Sequence, residues 1–233
     1  MKLKKTLICI LGLCVIGLGV LPLYSTSMVK MNVADLINHS DLIVVGRIVS
    51  LTDGFDGNNL PYTEITIQIS ETLKGSIRGT HTFRQFGLLK PRKVGNGRMY
   101  VGVSPDGFPK FSSDEEVMLF LYQTTALGFQ PIIGLMQGKF DIKDGIVANG
   151  INNLGLFDKV TVDESKIQVA VEASILEESG APLNEAAQQK MMQLKLEEEK
   201  HSIKKLLSTK KGAIEKEVFI FFVRNAAKYN WFN

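Results

Sequence analysis

The chain has 233 residues, with 27 Lys or Arg, 24 Asp or Glu and a formal charge of +3. Lys2, Lys4 and Lys5 are the only charged residues in segment 1–27, so the rest of the chain has 24 basic and 24 acidic groups. A neutral chain has no long-range field to hold a polyanion, which disfavours nucleic-acid binding. The length suits one domain with an extension, or two small domains.

Residues 1–27 resemble a secretory signal peptide. A lysine-rich start precedes the uncharged, mostly apolar stretch Thr6–Leu23, and Ser25-Thr26-Ser27 supplies the small residues that signal peptidase reads. The apolar stretch also reaches the length of a membrane span, so an uncleaved anchor is the alternative. Under either interpretation we expect the rest of the chain to be secreted or extracytoplasmic, in the cell envelope.

Both cysteines, Cys9 and Cys14, lie inside the predicted signal segment. The mature chain is therefore expected to have no disulfide, no thiolate metal site and no cysteine nucleophile. Its stability must then come from packing.

The first part of the mature chain predicts a short helix and a β-hairpin. Met31–His39 has helical periodicity, with Asn32 as its N-cap. Leu42–Leu51 is rich in β-branched residues, and Gly46 within it would permit a bulge or a sharp bend. In Thr63–Ser70, apolar and polar residues alternate as in a half-buried strand.

Further short strands follow, separated by glycine-rich turns. This spacing favours a closed all-β barrel over βαβ units. The expected strands cover Thr80–Phe86, Arg98–Val103, Val117–Tyr122, Ile132–Ile142 and Gly145–Ala148.

After about Leu156 the composition changes and predicts helices. The first is capped by Asp163, the second covers Leu183–Ser208, and the third covers Ala213–Tyr229. In the second helix, the stripe Ala187, Met191 and Leu194 is expected to dock only partly on the barrel. The predicted organisation is a signal peptide (1–27), a barrel domain (28–157) and an α-helical C-terminal extension (158–233).

Four stretches resemble the netrin-like OB-fold, the group that includes the tissue inhibitors of metalloproteinases. They read SDLIVVGRIVSL, YTEITIQISETLKG, EEVMLFLY and GLMQGKFDI. The order is also similar to that in uncharacterised secreted bacterial proteins. The resemblance covers about residues 35–150, and because its motifs are core and turn positions it speaks to fold rather than activity. It implies a mainly β, OB-like closed barrel.

The inhibitory mechanism of that family does not carry over to this chain. Those inhibitors chelate the protease zinc with an N-terminal cysteine, whereas the mature chain has no cysteine, and Asp114 stands where a glycine is expected. The resemblance then implies only that the rim of the barrel contacts another protein. A secreted protease is one candidate for that partner.

Sequence motifs for catalysis and metal binding are missing. His39, His81 and His201 form no HExxH or paired-histidine spacing. The loop Asp53–Asn59 lacks the alternating oxygens and closing glutamate of an EF-hand. No GxSxG elbow or Walker loop occurs, and the adjacent carboxylates at 114–116 indicate a solvated turn. We therefore predict no catalytic residue, no metal and no cofactor.

One stretch is distinctive, because no acidic residue occurs from Thr72 to Pro105 while basic residues accumulate. Loops of OB-type barrels bind ligands, so we predict a non-catalytic module that contacts an extracellular protein or an anionic ligand here. A solvated loop balanced by acids elsewhere, a hydrolase with an unrecognised site, and a membrane-anchored envelope protein are the alternatives. The predicted contact residues are Arg84, Lys90, Arg92, Lys93, Arg98 and Tyr100.

Overall fold

The computed structural model describes residues 28–93, 97, 99–101, 104–105, 107–178 and 185–232. The predicted signal peptide and Arg98 lie outside the described residues. The helices are α1 (Val33–His39), α2 (Glu164–Glu178), α3 (Glu185–Leu207) and α4 (Lys216–Lys228). The strands are β1 (Leu42–Phe55), β2 (Pro61–Lys74), β3 (Thr80–Phe86), β4 (Arg92–Lys93), β5 (Met99–Tyr100), β6 (Glu116–Leu121), β7 (Lys139–Lys143), β8 (Ile146–Asn149) and β9 (Ile214–Glu215).

Seven strands form one antiparallel sheet in the order β3-β2-β1-β6-β7-β8-β9, and β4 pairs with β5 in a separate ribbon. The mainly β character is confirmed. The predicted closed, OB-like barrel is wrong, because within the described residues no ladder joins the edge strands β3 and β9, and the sheet stays open.

The chain between β6 and β7 differs from the strand predicted there. Residues 132–142 were expected to be one strand, but they contain an isolated bridge at Ile132, a left-handed Gly134 (φ 66°) and a 3₁₀ turn at Leu135–Gln137 before β7 begins. Beside β3, the backbone N–H of Gln130 donates to the Arg84 carbonyl at 2.9 Å. One such bond does not make a strand ladder.

Of the bulge or sharp bend that Gly46 was expected to permit, the structure shows a bulge-like irregularity. The β1–β2 register shifts between Val45 and Gly46 and at two further points along β1. A Cβ on Gly46 would lie 2.2 Å from the Gln68 carbonyl oxygen on β2. Only glycine allows the two backbones to approach this closely.

The two faces of the sheet support two apolar clusters. On one face Val45, Met118 and Phe140 pack with α1, α2, α4 and the C-terminal half of α3. Residues on both sides of the predicted boundary at 157/158 share this cluster. On the other face, Val44 and Leu119 pack with neighbours from β2 and β3.

The helices lie close to where the sequence predicts them, but the face of α3 that packs against the core differs from the predicted one. Asn32 caps α1 as predicted, in a reciprocal capping box with Asp35. In α3 the predicted stripe is wrong, since Met191 is 49% and Leu194 is 64% exposed. The docked residues are instead Ile203 and Leu206, with Met192 and Leu196 partly buried.

Candidate functional site

Of the predicted contact residues that the structure describes, Arg92, Lys93 and Tyr100 lie on the β4–β5 ribbon, Lys90 precedes the ribbon, and Arg84 lies on β3. Arg92 pairs with Tyr100 in this ribbon, and Lys93 pairs with Met99. The Tyr100 ring stacks edge-on against Phe55 at the end of β1, with 5.2 Å between ring centroids. The β1–β2 hairpin therefore supports the ribbon from below.

Arg92 anchors the ribbon to this hairpin. Its guanidinium donates to the Asp53 carboxylate and, at 3.2 Å, to the Asp53 backbone carbonyl. The other Asp53 carboxylate oxygen accepts the backbone N–H of Leu89 at 2.9 Å. Because the Asp53 side chain is only 7% exposed, this is a charge-assisted contact at the edge of the core. The Arg92 side chain therefore has a structural role, because it holds the ribbon to the hairpin.

Arg84 is similarly occupied. It lies opposite Glu64 in the β2–β3 ladder, and its Nε donates to the Glu64 carboxylate at 2.8 Å. Its guanidinium lies over the Tyr62 ring, 4.2 Å from the centroid. The hydrogen bond to Glu64, with the nearby negative charges, raises the pKa of Arg84 above its usual range. Arg84 therefore stays protonated, and its positive charge is paired with the Glu64 carboxylate.

Lys90 and Lys93 have a different environment. Both are exposed, and neither forms an ion pair with an acidic side chain in the described part of the chain. Apolar side chains around them are also exposed, from 38% for Phe86 to 72% for Val101. We call this group the ribbon surface; it comprises Phe86, Leu89, Lys90, Lys93, Met99 and Val101.

A second feature, which the sequence did not predict, is a cavity of about 530 Å³ beside β7. Lys139 lines it and is only 6% exposed. Its ammonium lies 3.1 Å from Glu115, pairs with Asp141 and lies 5.1 Å from the Phe111 ring centroid. Glu115 precedes β6, which pairs with β7, so the interaction fixes this strand pair. The sequence carries no signal for the burial of Lys139, because strand alternation puts it on the face opposite Phe140 and Ile142, together with exposed Asp141.

The described lining of the cavity combines lysine, carboxylate and serine side chains. This lining includes the Ser104 hydroxyl and no histidine or cysteine. The Lys139 charge is balanced by the Glu115 and Asp141 carboxylates.

His39, His81 and the loop acid Asp56 have structural partners. His39 Nδ1 contacts the Asp35 carbonyl at 2.8 Å, and His81 Nε2 contacts the Gln130 amide oxygen at 2.7 Å. In the hairpin loop, Asp56 accepts the backbone N–H groups of Asn58 and Leu60. Among the residues that the structure covers, no group of three or more His, Cys, Asp or Glu side chains is placed to bind a metal ion.

Comparison with known protein families, curated proteins and solved structures finds no match to this chain. The netrin-like resemblance therefore stays a prediction. In the described residues, no helix combines the length and apolar character needed to cross a bilayer.

Proposed function

We propose that this protein is an extracytoplasmic, non-catalytic binding module, and that the ribbon surface contacts an acidic patch on a protein partner. The observation that supports this proposal is that Lys90 and Lys93, which have no acidic partner among the described residues, occur together with exposed apolar side chains. Such a combination is typical of interfaces that steer a partner by charge and hold it by apolar burial.

The anchoring of the ribbon supports the same proposal. Asp53 fixes Arg92 and Leu89, and Phe55 supports Tyr100. A surface held in place in this way loses little conformational entropy on binding. Of the predicted contact residues, Lys90 and Lys93 are assigned to the partner, while Arg84, Arg92 and Tyr100 position the surface.

Photo-crosslinking in the native host tests this proposal. A photoreactive residue replaces Met99 on the ribbon, and the matched control replaces Val169 on α2, which has nearly the same exposure (51% and 49%). We expect an adduct with one acidic protein from position 99 and none from position 169. Equal labelling at both positions contradicts the proposal.

The captured protein is then purified, and its Kd is measured for charge-reversal variants. Lys90→Glu/Lys93→Glu should weaken binding by about tenfold or more at low salt, because two attractive contacts become repulsive. Lys143→Glu/Lys190→Glu makes the same charge change at exposed positions away from the ribbon and should leave Kd nearly unchanged. If both double variants bind like wild type, the ribbon surface is not the interface. Inhibition of the captured protein, if it is a protease, is a further readout.

A further inference from the structure

Three segments that are distant in sequence converge where the described chain begins: residues 28–32, 150–160 and 208–212. The Lys30 ammonium pairs with the Asp158 carboxylate at 2.6 Å. The backbone N–H of Gly155 donates to the Lys210 carbonyl at 3.0 Å. These loops lie at the β8–β9 edge of the sheet, away from the ribbon surface near β3.

Buried polar side chains hold these segments in place. Asn153 is fully buried; its amide donates to the carbonyls of Val147 at 3.0 Å and Gly212 at 2.8 Å. Gln137 is 1% exposed; its side chain accepts the Met31 N–H at 3.0 Å and donates to the Val29 carbonyl at 2.8 Å. The surface built on these segments is therefore preorganised.

The exposed side chains on this surface are mostly basic or apolar, and the other exposed side chains are those of Asn152, Asp158 and Ser208. Val29 is 79% and Leu154 is 51% exposed. The three segments contain four lysines and one carboxylate, Asp158. Its pKa is lowered by the hydrogen bond and charge of Lys30, with smaller contributions from Lys210 and Lys159, so the local potential is positive. We call this group the lysine face; it comprises Val29, Lys30, Leu154, Lys159, Lys210 and Lys211.

We propose that the lysine face lies against an anionic lipid surface. Lysines interspersed with exposed apolar side chains fit the headgroup boundary of a bilayer. Because they would also fit an acidic protein, the position of the face along the chain decides between the two. The face lies at the end of the chain that follows the apolar stretch Thr6–Leu23, and the four residues between Leu23 and Met28 span at most about 14 Å.

The inference is independent of the ribbon surface and of the protein partner proposed for it. It uses the anchor interpretation of segment 1–27, because the short link to the apolar stretch is what favours lipid over a protein partner. An uncleaved anchor would keep the lysine face near the membrane.

Depth-dependent quenching of the full chain in nanodiscs tests this inference. Cys9 and Cys14 are changed to Ser, and a single labelled cysteine replaces Leu154 or, as the control, Leu89 on the ribbon surface. The bilayers contain brominated phosphatidylcholine, alone or with about 30 mol% phosphatidylglycerol. We expect the label at 154 to be quenched several-fold more with phosphatidylglycerol than without it, and the label at 89 to be unaffected by this lipid.

The variant Lys159→Gln/Lys210→Gln separates charge recognition from simple tethering. It should lose most of the phosphatidylglycerol-dependent quenching at 154, as should wild type in 0.5 M salt, where screening is stronger (Debye length a few Å). Thermal unfolding of each variant verifies that it is folded. Equal quenching in both lipids, equal quenching at 89 and 154, or no effect of the lysine variant would overturn the inference. A different result would favour a protein partner: the wild-type label at 154 shows no phosphatidylglycerol-dependent quenching, while an acidic host protein binds wild type and not the lysine variant. That result would also overturn the inference.

Discussion

Asp53 and Arg92, 39 residues apart in sequence, form the contact that joins the ribbon to the sheet. One carboxylate oxygen of Asp53 accepts a hydrogen bond from the Arg92 guanidinium. The other accepts a hydrogen bond from the Leu89 backbone N–H at 2.9 Å. Asp53 is 7% exposed and Arg92 is 41% exposed, so the pair lies between the core and solvent. The acid that compensates part of the basic stretch therefore comes from β1.

Replacing Asp53 should loosen the ribbon and lower overall stability. Asp53→Ala removes two acceptors for the ribbon and leaves the Leu89 N–H without its partner, at a cost of about 2–3 kcal/mol in the free energy of unfolding. Urea unfolding measures this cost, and amide exchange at Leu89 should accelerate. The adjacent ribbon variant Lys93→Ala should change the free energy by less than about 0.5 kcal/mol, because Lys93 is exposed. Equal costs for both variants would contradict this role of Asp53.

Gly46 is expected to be intolerant of any side chain. In Gly46→Ala the new Cβ would meet the Gln68 carbonyl at 2.2 Å and Ile67 at 2.9 Å, and the backbone cannot yield without breaking the β1–β2 ladder. The free energy of unfolding should fall by at least about 2 kcal/mol. Gly57→Ala is the control, because nothing lies within 4 Å of its Cβ. Comparable urea midpoints for the two variants would show that the sheet absorbs the methyl group.

The hairpin and the first helix could be predicted because their signals are local. Alternation in β2 places Ile65 and Ile67 in the core, and the Asn32–Asp35 capping box lies within four residues. The strand expected at 132–142 failed because Gly134 adopts φ 66° and starts a 3₁₀ turn, which its apolar neighbours conceal. The barrel is a separate error, because closure would need a ladder between the edge strands β3 and β9, which no local pattern predicts.

The basic stretch shows why candidate sites are harder to predict. The sequence identified a region without acids, but cross-strand pairing brings Glu64 to Arg84, and the tertiary fold brings Asp53 to Arg92. Only the register of the sheet reveals these partners. The packed face of α3 was also not predictable, because charged residues occur all around this helix. Ile203 and Leu206 are buried, whereas Met191 is exposed.

The Lys139 cluster should behave as a structural ion pair. Lys139→Met leaves the Glu115 carboxylate, 21% exposed, without its cation. We expect a loss of about 2–3 kcal/mol in the free energy of unfolding at pH 7, since an orphaned, partly buried charge is costly. Lys139→Met/Glu115→Gln should recover most of this loss. Urea unfolding of the two single variants and the double variant measures the coupling, and additive losses would contradict the ion-pair role.

Glu199 should make stability depend on pH. Burial, and then the neighbouring Glu198 carboxylate, raise its pKa above the ordinary value of 4.5. In the window between 4.5 and the higher folded pKa, the unfolded chain loses the proton while the folded chain keeps it. The contribution of this group to stability is therefore present at low pH and falls as pH rises through the window.

Glu199→Gln removes the ionisable group and tests this dependence. At pH 7 the variant should unfold at a higher temperature than wild type, because wild type must hold a half-buried carboxylate beside Glu198. Near pH 4, where wild type is largely protonated in both states, the difference in Tm should shrink. Glu197→Gln is the matched control: Glu197 is 76% exposed and lies 3.5 Å from Lys200, so its loss should lower stability slightly or leave it unchanged. A Glu199→Gln variant that is less stable than wild type at pH 7 would show that the carboxylate is held by a favourable interaction rather than penalised by burial.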